Sequence, residues 1–193
     1  MNDEPQGLAQ EVVWNGTRYP IQWKARSGGG GAWVDNWFSN MRPCSDPILW
    51  QGTRFASVEH AYQSARYTDP DKIRRIRGSV RPEGAKMFSR QWPLETPNWN
   101  ERKLAVMWEI SVQRWGMPNE KAELLKHPEP IVEFNNWADA YWGVVIRPTG
   151  EVLGGANYLG LMITEIRRQM LEAPDRVPQI TPQFQMPIQT ALL

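Results

Sequence analysis

"SVEHAYQSARY", residues 57–67, reads as a short helix entered from a hydroxyl cap. Ser57 is placed to accept an N–H that the first turn leaves open, and Val58, Ala61, Tyr62 and Ala65 recur at helical spacing as an apolar stripe. Beside the stripe, Glu59, Gln63 and Arg66 fall at i, i+4 and i+7. Such a polar face is either a solvated edge or a carboxylate aimed at a substrate. His60 points about 100° away from Glu59 around the helix and reads as structural.

Working outward, the other helices announce themselves by their starts. Asp69-Pro70 opens a second, and "DKIRRIRG" stops it at Gly78. Pro82 opens a third, "PEGAKMFSRQW". Asn98 followed three residues later by Glu101 is close to a capping box ahead of the longest helix, "NERKLAVMWEISVQRW". Its Leu104, Met107, Trp108 and Trp115 share one face and belong to a core. Pro118 starts "PNEKAELLKH", "PIVEF" and "YWGVVI" read as short strands, and "GLMITEIRRQML" is a last amphipathic helix. The expected class is α+β, predominantly helical, in one domain over 33–172. Residues 1–32 form a polar extension broken by "SGGGG" (27–31), a loop or linker. Residues 173–193, with four prolines and no helical period, are an extended tail, packed on the body or disordered.

Composition narrows the function. A net charge of +1 argues against affinity built on neutralising many backbone phosphates, but leaves room for a small phosphorylated ligand or brief engagement of nucleic acid. Eleven tryptophans outnumber Phe and Tyr together; most are expected in the core or at its rim. The single cysteine, Cys44, allows no internal disulfide and suits a reducing compartment. "MNDEPQGLAQ" lacks the order of a signal peptide, and no apolar run approaches the ~20 residues of a membrane helix. A cytoplasmic protein without membrane contact is expected. Two histidines and one cysteine match no zinc spacing, so no metal and no cofactor are expected.

Patterns for chemistry are sparse taken singly. There is no G-x-S-x-G and no Walker-type phosphate loop. "GGANYLG" (154–160) either cradles a phosphate on its N–H groups or is simply a turn and helix start. In "ADAYWGVV", Asp139 precedes two aromatic rings. That suits stabilisation of an oxocarbenium-like transition state, or else marks a turn leading into a strand.

Taken in order, the pieces say more: "FSN" (38–40), "FASVEHAYQ" (55–63), "PEGAK" (82–86), "NW" followed by Arg102 and Met107, "DAYWG" (139–143), and "NYLG" followed by Glu165, Ile166 and Arg167. This ordered set, from Phe38 to Arg167, resembles the NADAR (YbiA-like) family. The resemblance implies a YbiA-like fold and metal-independent hydrolysis of an N-glycosidic bond on a ribose. One implied substrate is ADP-ribose attached to guanine bases of nucleic acid, often as the antidote to an ADP-ribosylating toxin. Another is a phosphoribosylamino-pyrimidine intermediate of riboflavin biosynthesis. A third possibility is a non-catalytic module that binds ADP-ribose.

Carried over by position, the resemblance implies Glu59 as general acid/base, a task for a carboxylate in a setting that disfavours its charged form. It implies Asp139 as a second carboxylate, and Lys86 of "PEGAK" as a lysine able to form a Schiff base with an opened ribose. Trp99 and Trp142 would line the pocket. Asn40, Gly143, Asn157 and Gly160 would contact the ligand. Where the pattern commonly reads "EHAYQ-x-x-K", this chain has Arg66, which stays charged and becomes a phosphate binder. The ending carries Thr164 where Met is common, a change of packing rather than chemistry. The run "KIRRIRGSVR" (72–81) places five positive charges near the proposed pocket in sequence, as a solvated face or a steering patch for phosphates.

Overall fold

The computed structural model describes residues 11–20, 22–24, 31–33 and 38–185. Within them lie seven helices and nine short strands, an α+β fold, divided into two compact units. The first holds residues 1–39 and 129–165, and the second residues 40–128 and 166–193.

In the first unit, β1 (Glu11–Trp14) and β2 (Thr17–Pro20) form an antiparallel hairpin. Asn15-Gly16 turns it with both φ positive, the twist-matched turn that Asn-Gly favours. β3 (Gln22–Lys24) pairs antiparallel with β4 (Gly31–Trp33). A three-stranded sheet runs β7 (Phe134–Asn135), β8 (Val144–Ile146), β9 (Val152–Gly154), parallel then antiparallel. Val12 and Tyr19 pack with Val132, Phe134, Val144 and Ile146, Tyr19 edge-on to Phe134 at 5.5 Å. The stretch expected as a polar extension therefore supplies core side chains. Residues 27–30 of the expected Gly-rich loop lie outside the described residues, and Gly31 opens β4.

The second unit is built around a strand that becomes a helix without a break. β5 (Pro43–Trp50) and β6 (Thr53–Ser57) form a hairpin, and Ser57 ends β6 while capping α1 (Val58–Ser64). Ser57 Oγ accepts the His60 N–H, as expected. α2 (Pro70–Arg77) starts at an Asp69 cap with Pro at its first turn, and α3 (Pro82–Ser89) also begins on proline. α4 (Trp99–Gly116) buries Leu104, Met107, Trp108, Ile110 and Trp115. It starts where expected but not by a capping box. Asn98 adopts a left-handed backbone and makes no side-chain cap bond, so the 98–101 spacing marks the boundary without the mechanism. α5 (Pro118–Leu124) follows, α6 (Tyr158–Glu172) contributes its residues from 166 onward, and α7 (Pro182–Gln185) closes the described chain. Phe184 on α7 lies 5.3 Å from Trp108, so the tail is packed through this point; its last eight residues lie outside the described set. No helix among the described residues is long and apolar enough to cross a membrane.

Two polar devices hold the second unit. Arg114 and Glu120 are both 0% exposed. Arg42 Nη1 reaches both Glu120 carboxylate oxygens at 2.9 Å, and Arg114 Nε reaches Oε2 at 3.4 Å. The Arg114 guanidinium also lies 4.4 Å over the Trp115 ring. Burial pulls the Arg114 pKa down, which the Glu120 carboxylate opposes. The second device is His60. Its Nδ1 sits 2.8 Å from Ser57 Oγ, and its Nε2 lies 3.1 Å from the Ser79 carbonyl and 2.9 Å from Ser79 Oγ. A carbonyl only accepts, so Nε2 carries the hydrogen and Nδ1 accepts from Ser57. The imidazole is neutral and ties α1 to the α2–α3 corner.

Glu120→Ala would leave two guanidiniums facing each other in a dry site, so a loss of about 3–5 kcal/mol in urea unfolding is expected. His60 gives a pH signature. Burial holds its pKa below the 6.5 of the unfolded chain, so below that pH the unfolded state binds more protons. Stability is full above about pH 6.5 and falls as the pH drops from there toward the folded value. The denaturation midpoint should drop as the pH falls below about 6.5, a window above that of Glu95, whose pKa is held at about 2 against 4.5. His60→Gln should flatten that slope while lowering the midpoint at neutral pH.

Candidate functional site

All seven residues of α1 are buried, including the Glu59–Gln63 face. Glu59 is 6% and Gln63 5% exposed, so this face is not a solvated edge. The Glu59 N–H donates to the Asn40 carbonyl at 3.1 Å, fixing where the helix begins. Glu59 Oε1 accepts from Gln63 Nε2 at 2.9 Å. Gln63 Oε1 in turn accepts from Arg66 Nη1 at 2.8 Å and from the Ser89 hydroxyl. Arg66 can only donate, so the Gln63 amide oxygen must face it and the amide NH₂ must face Glu59. Arg66 Nη1 also reaches Ser89 Oγ at 3.1 Å, and Ser89 Oγ lies 3.0 Å from the Lys86 carbonyl.

The network ends in groups that remain open. Glu59 Oε2 takes no hydrogen bond among the described residues, yet it is not sealed from solvent. Arg66 Nε is buried without a partner. Lys86, half-buried on α3, makes no side-chain hydrogen bond or ion pair among the described residues. The C-terminus of α1 is closed from the 95–96 loop: Glu95 and Thr96 N–H groups donate to the Arg66 carbonyl, and Thr96 Oγ1 to the Ala65 carbonyl. Glu95 also accepts the Thr68 and Asp69 N–H groups, both at 2.9 Å. Those bonds and its ion pair with Lys72 hold its pKa at about 2.

Two expected ligand contacts in this unit have other occupations. Trp99 is buried, 5.2 Å from the Tyr62 ring, and packs the flank of α1. Asn40 holds α1 through its carbonyl, and its Nδ2 lies 3.6 Å from Met107 Sδ.

The first unit interlocks its expected residues differently. Asp139 Oδ1 accepts the N–H groups of Tyr141 (3.2 Å) and Trp142 (3.0 Å). The buried Asn135 side chain bonds both the N–H and the carbonyl of Asp139. Asp139 thus organises a turn and keeps Oδ2 open among the described residues. Behind the turn, a Cβ on Gly143 would stand 2.3 Å from the Glu133 carbonyl oxygen, which only glycine avoids. Tyr141 meets Trp142 edge-on at 5.0 Å and Tyr158 at 4.8 Å. Burial pushes the Tyr141 pKa up to about 12, keeping its hydroxyl protonated.

The "GGANYLG" segment does not present its first amides to a ligand. The N–H groups of Asn157, Tyr158 and Leu159 donate to the carbonyls of Gly143, Tyr141 and Trp142. The Asn157 side chain accepts from Glu133 N–H and donates to the Ile131 carbonyl, both at 3.0 Å. A Cβ on Gly160 would fall 2.1 Å from that same carbonyl oxygen. The glycine serves a backbone crossing, and the expected phosphate cradle gives way to it. Gly160 also borders a solvent-open pocket lined by Phe38, Ile131, Leu159 and Ile163 together with Glu129 and Glu133.

Sequence reasoning missed Ser89 and Asn135. Ser89 lies three residues after Lys86 on α3, a helical neighbour, but nothing local marked Asn135. No group of three or more His, Cys, Asp or Glu placed to hold a metal ion occurs among the described residues.

Comparison with known proteins places this arrangement. The E. coli protein YbiA, solved by NMR, is 29% identical over 74% of this chain and 83% of its own, with a TM-score of 0.58. No curated protein matched. The family model described as the NADAR domain matches residues 30–171, spanning both the α1 network and the 139–160 turn. The chain therefore belongs to the NADAR family and has the YbiA-like fold.

Proposed function

We propose that this protein is an N-glycosidase that removes ADP-ribose from guanine bases of nucleic acid, using protein side chains alone. Family membership supports an N-glycosidase-type role. The observation that carries the reading is Glu59: a buried carboxylate with Oε1 tied to Gln63 and Oε2 open. In the protonated enzyme Oε2–H donates to the departing guanine nitrogen as the C1–N bond breaks, and the bond's electron pair leaves with the base. Positive charge develops at C1 of the ribose. Water then adds to C1 and returns its proton to Glu59, giving ADP-ribose and the unmodified guanine, which stays in its strand. Arg66, half-buried and with no hydrogen bond to its Nη2 among the described residues, is the cation for a phosphate oxygen. Lys86, without a carboxylate partner among the described residues, is the amine for the Schiff-base variant, in which its neutral form would attack the opened sugar.

Glu59→Gln preserves an acceptor for Gln63 but cannot donate and recover a proton. It should lower kcat on ADP-ribosylated guanine DNA by about 10²–10⁴ with binding retained. Unchanged turnover removes Glu59 from the chemistry. Release only from the phosphoribosylamino-pyrimidine would transfer the activity to that substrate. Binding of ADP-ribose with no release from either would leave a binding module. Asp139→Asn keeps the Oδ1 acceptor that holds the 139–142 turn. A fall in turnover at unchanged thermal midpoint gives the Asp139 charge a catalytic part, and unchanged turnover confines it to the turn.

A further inference from the structure

From Lys72 to Arg90 the chain carries seven basic residues against one acidic, Glu83, although the whole chain nets only +1. Part of this charge is internally engaged. Lys72 pairs with Glu95, Arg74 with Asp71 at 2.5 Å, and the Arg75 guanidinium lies 4.6 Å over the Phe88 ring. Arg77, Arg81 and Arg90 are exposed, and their side chains make no hydrogen bond or ion pair among the described residues. A solvated helix face ordinarily intersperses its charges with opposite ones; this stretch leaves three like charges uncompensated.

Between Arg77 and Arg81 stands Val80, 97% exposed. The corner that carries it is fixed. Ser79 Oγ donates to the Arg81 carbonyl at 3.0 Å, and His60 holds Ser79 through both its carbonyl and its hydroxyl. Gly84 backs onto it closely enough that a Cβ would meet the Ser79 Cβ at 3.2 Å. His60 is the chain neighbour of Glu59, so the corner is anchored beside the carboxylate that carries the proposed chemistry. Cations that hold phosphates, flanking an exposed apolar tip that packs against base or sugar, make up the chemistry of a nucleic-acid contact.

We propose that the α2–α3 corner is a landing site for the nucleic-acid strand that bears the modified base, with Arg77, Arg81 and Arg90 on phosphates and Val80 against a base or sugar. This rests on the reading that the ADP-ribose is carried by nucleic acid, and it adds where that carrier is gripped. A few phosphate contacts are compatible with a near-neutral chain, because affinity then comes from a local cluster rather than from total charge.

The test uses the full chain and an unmodified, fluorescently labelled guanine-containing oligonucleotide, single-stranded and duplex, titrated across a salt series. Arg77→Gln/Arg81→Gln should weaken binding at least tenfold and reduce the slope of log K against log salt by about 1.4–1.8, two phosphate contacts. Val80→Ser should weaken binding without changing the slope. Turnover of an ADP-ribosylated guanine mononucleoside should be unchanged in the double variant, while turnover of the ADP-ribosylated oligonucleotide falls. Equal affinity and slope for wild type and double variant would overturn the proposal, as would equal loss of mononucleoside and oligonucleotide turnover. The binding arm does not depend on catalysis. Salt-dependent binding at the corner without release from any substrate sinks the glycosidase reading alone, and release without a corner-dependent binding change sinks the corner alone.

Discussion

The second unit depends on burying α1 whole. A seven-residue helix with Glu, His, Gln and Ser among its residues cannot enter a core unless its polar atoms find partners, since each buried unsatisfied group costs about 1–3 kcal/mol. The surrounding elements are arranged to supply them. Ser57 and the Ser79 corner take His60, Arg66 and Ser89 take Gln63, and the 95–96 loop closes the C-terminus. Ser64 Oγ is buried without a partner, and Glu59 Oε2 is open at the edge of the buried face. The carboxylate stands out because the His60 and Gln63 side chains beside it are both tied by hydrogen bonds.

In the first unit the governing constraint is backbone proximity. Gly143, Gly155 and Gly160 each sit where a Cβ would come within 2.1–2.3 Å of a carbonyl oxygen. The chain there is knit by main-chain bonds from the start of α6 to the 141–143 carbonyls, with the Asn157 and Asn135 amides filling the remaining acceptors and donors. Such a lattice holds the Asp139 turn at fixed φ and ψ and leaves one carboxylate oxygen uncommitted. Stiffness here is a property of interlocked amides, and the side chains decorate it.

What could be read from the sequence follows the range of the interaction. Helix starts at Ser57, Asp69-Pro70, Pro82 and Pro118 were legible because a cap or a proline acts within three residues. The partnership of Glu59 with Gln63 was legible from helical spacing. The β1–β2 hairpin was not read as core, because strands of four residues bury little and flank it with polar positions; its Asn-Gly turn was the available signal. Ser89 reaches Gln63 and Arg66 only across the fold, and Asn135 closes on the Asp139 backbone four residues on, a contact no capping or periodic pattern marks. The glycines of "GGANYLG" were ambiguous in principle, since a phosphate and a neighbouring carbonyl demand the same missing Cβ. The tail's packing rested on Phe184, one aromatic residue without a periodic context.

The departure at Arg66 gains a physical meaning from these contacts. A lysine there would offer one compact charge with freely rotating donors, whereas a guanidinium presents a planar fork. Through Nη1 this fork bridges Gln63 Oε1 and Ser89 Oγ, and that bridge decides which end of the Gln63 amide faces Glu59. The orientation of the amide then commits Oε1 and leaves Oε2 uncommitted. An arginine in place of a lysine at this position therefore does more than remove an amine. It converts the third residue of the polar face into the element that sets the geometry of the first, and it leaves Lys86, on a neighbouring helix, as the nearby lysine in the network whose ammonium has no acidic partner among the described residues.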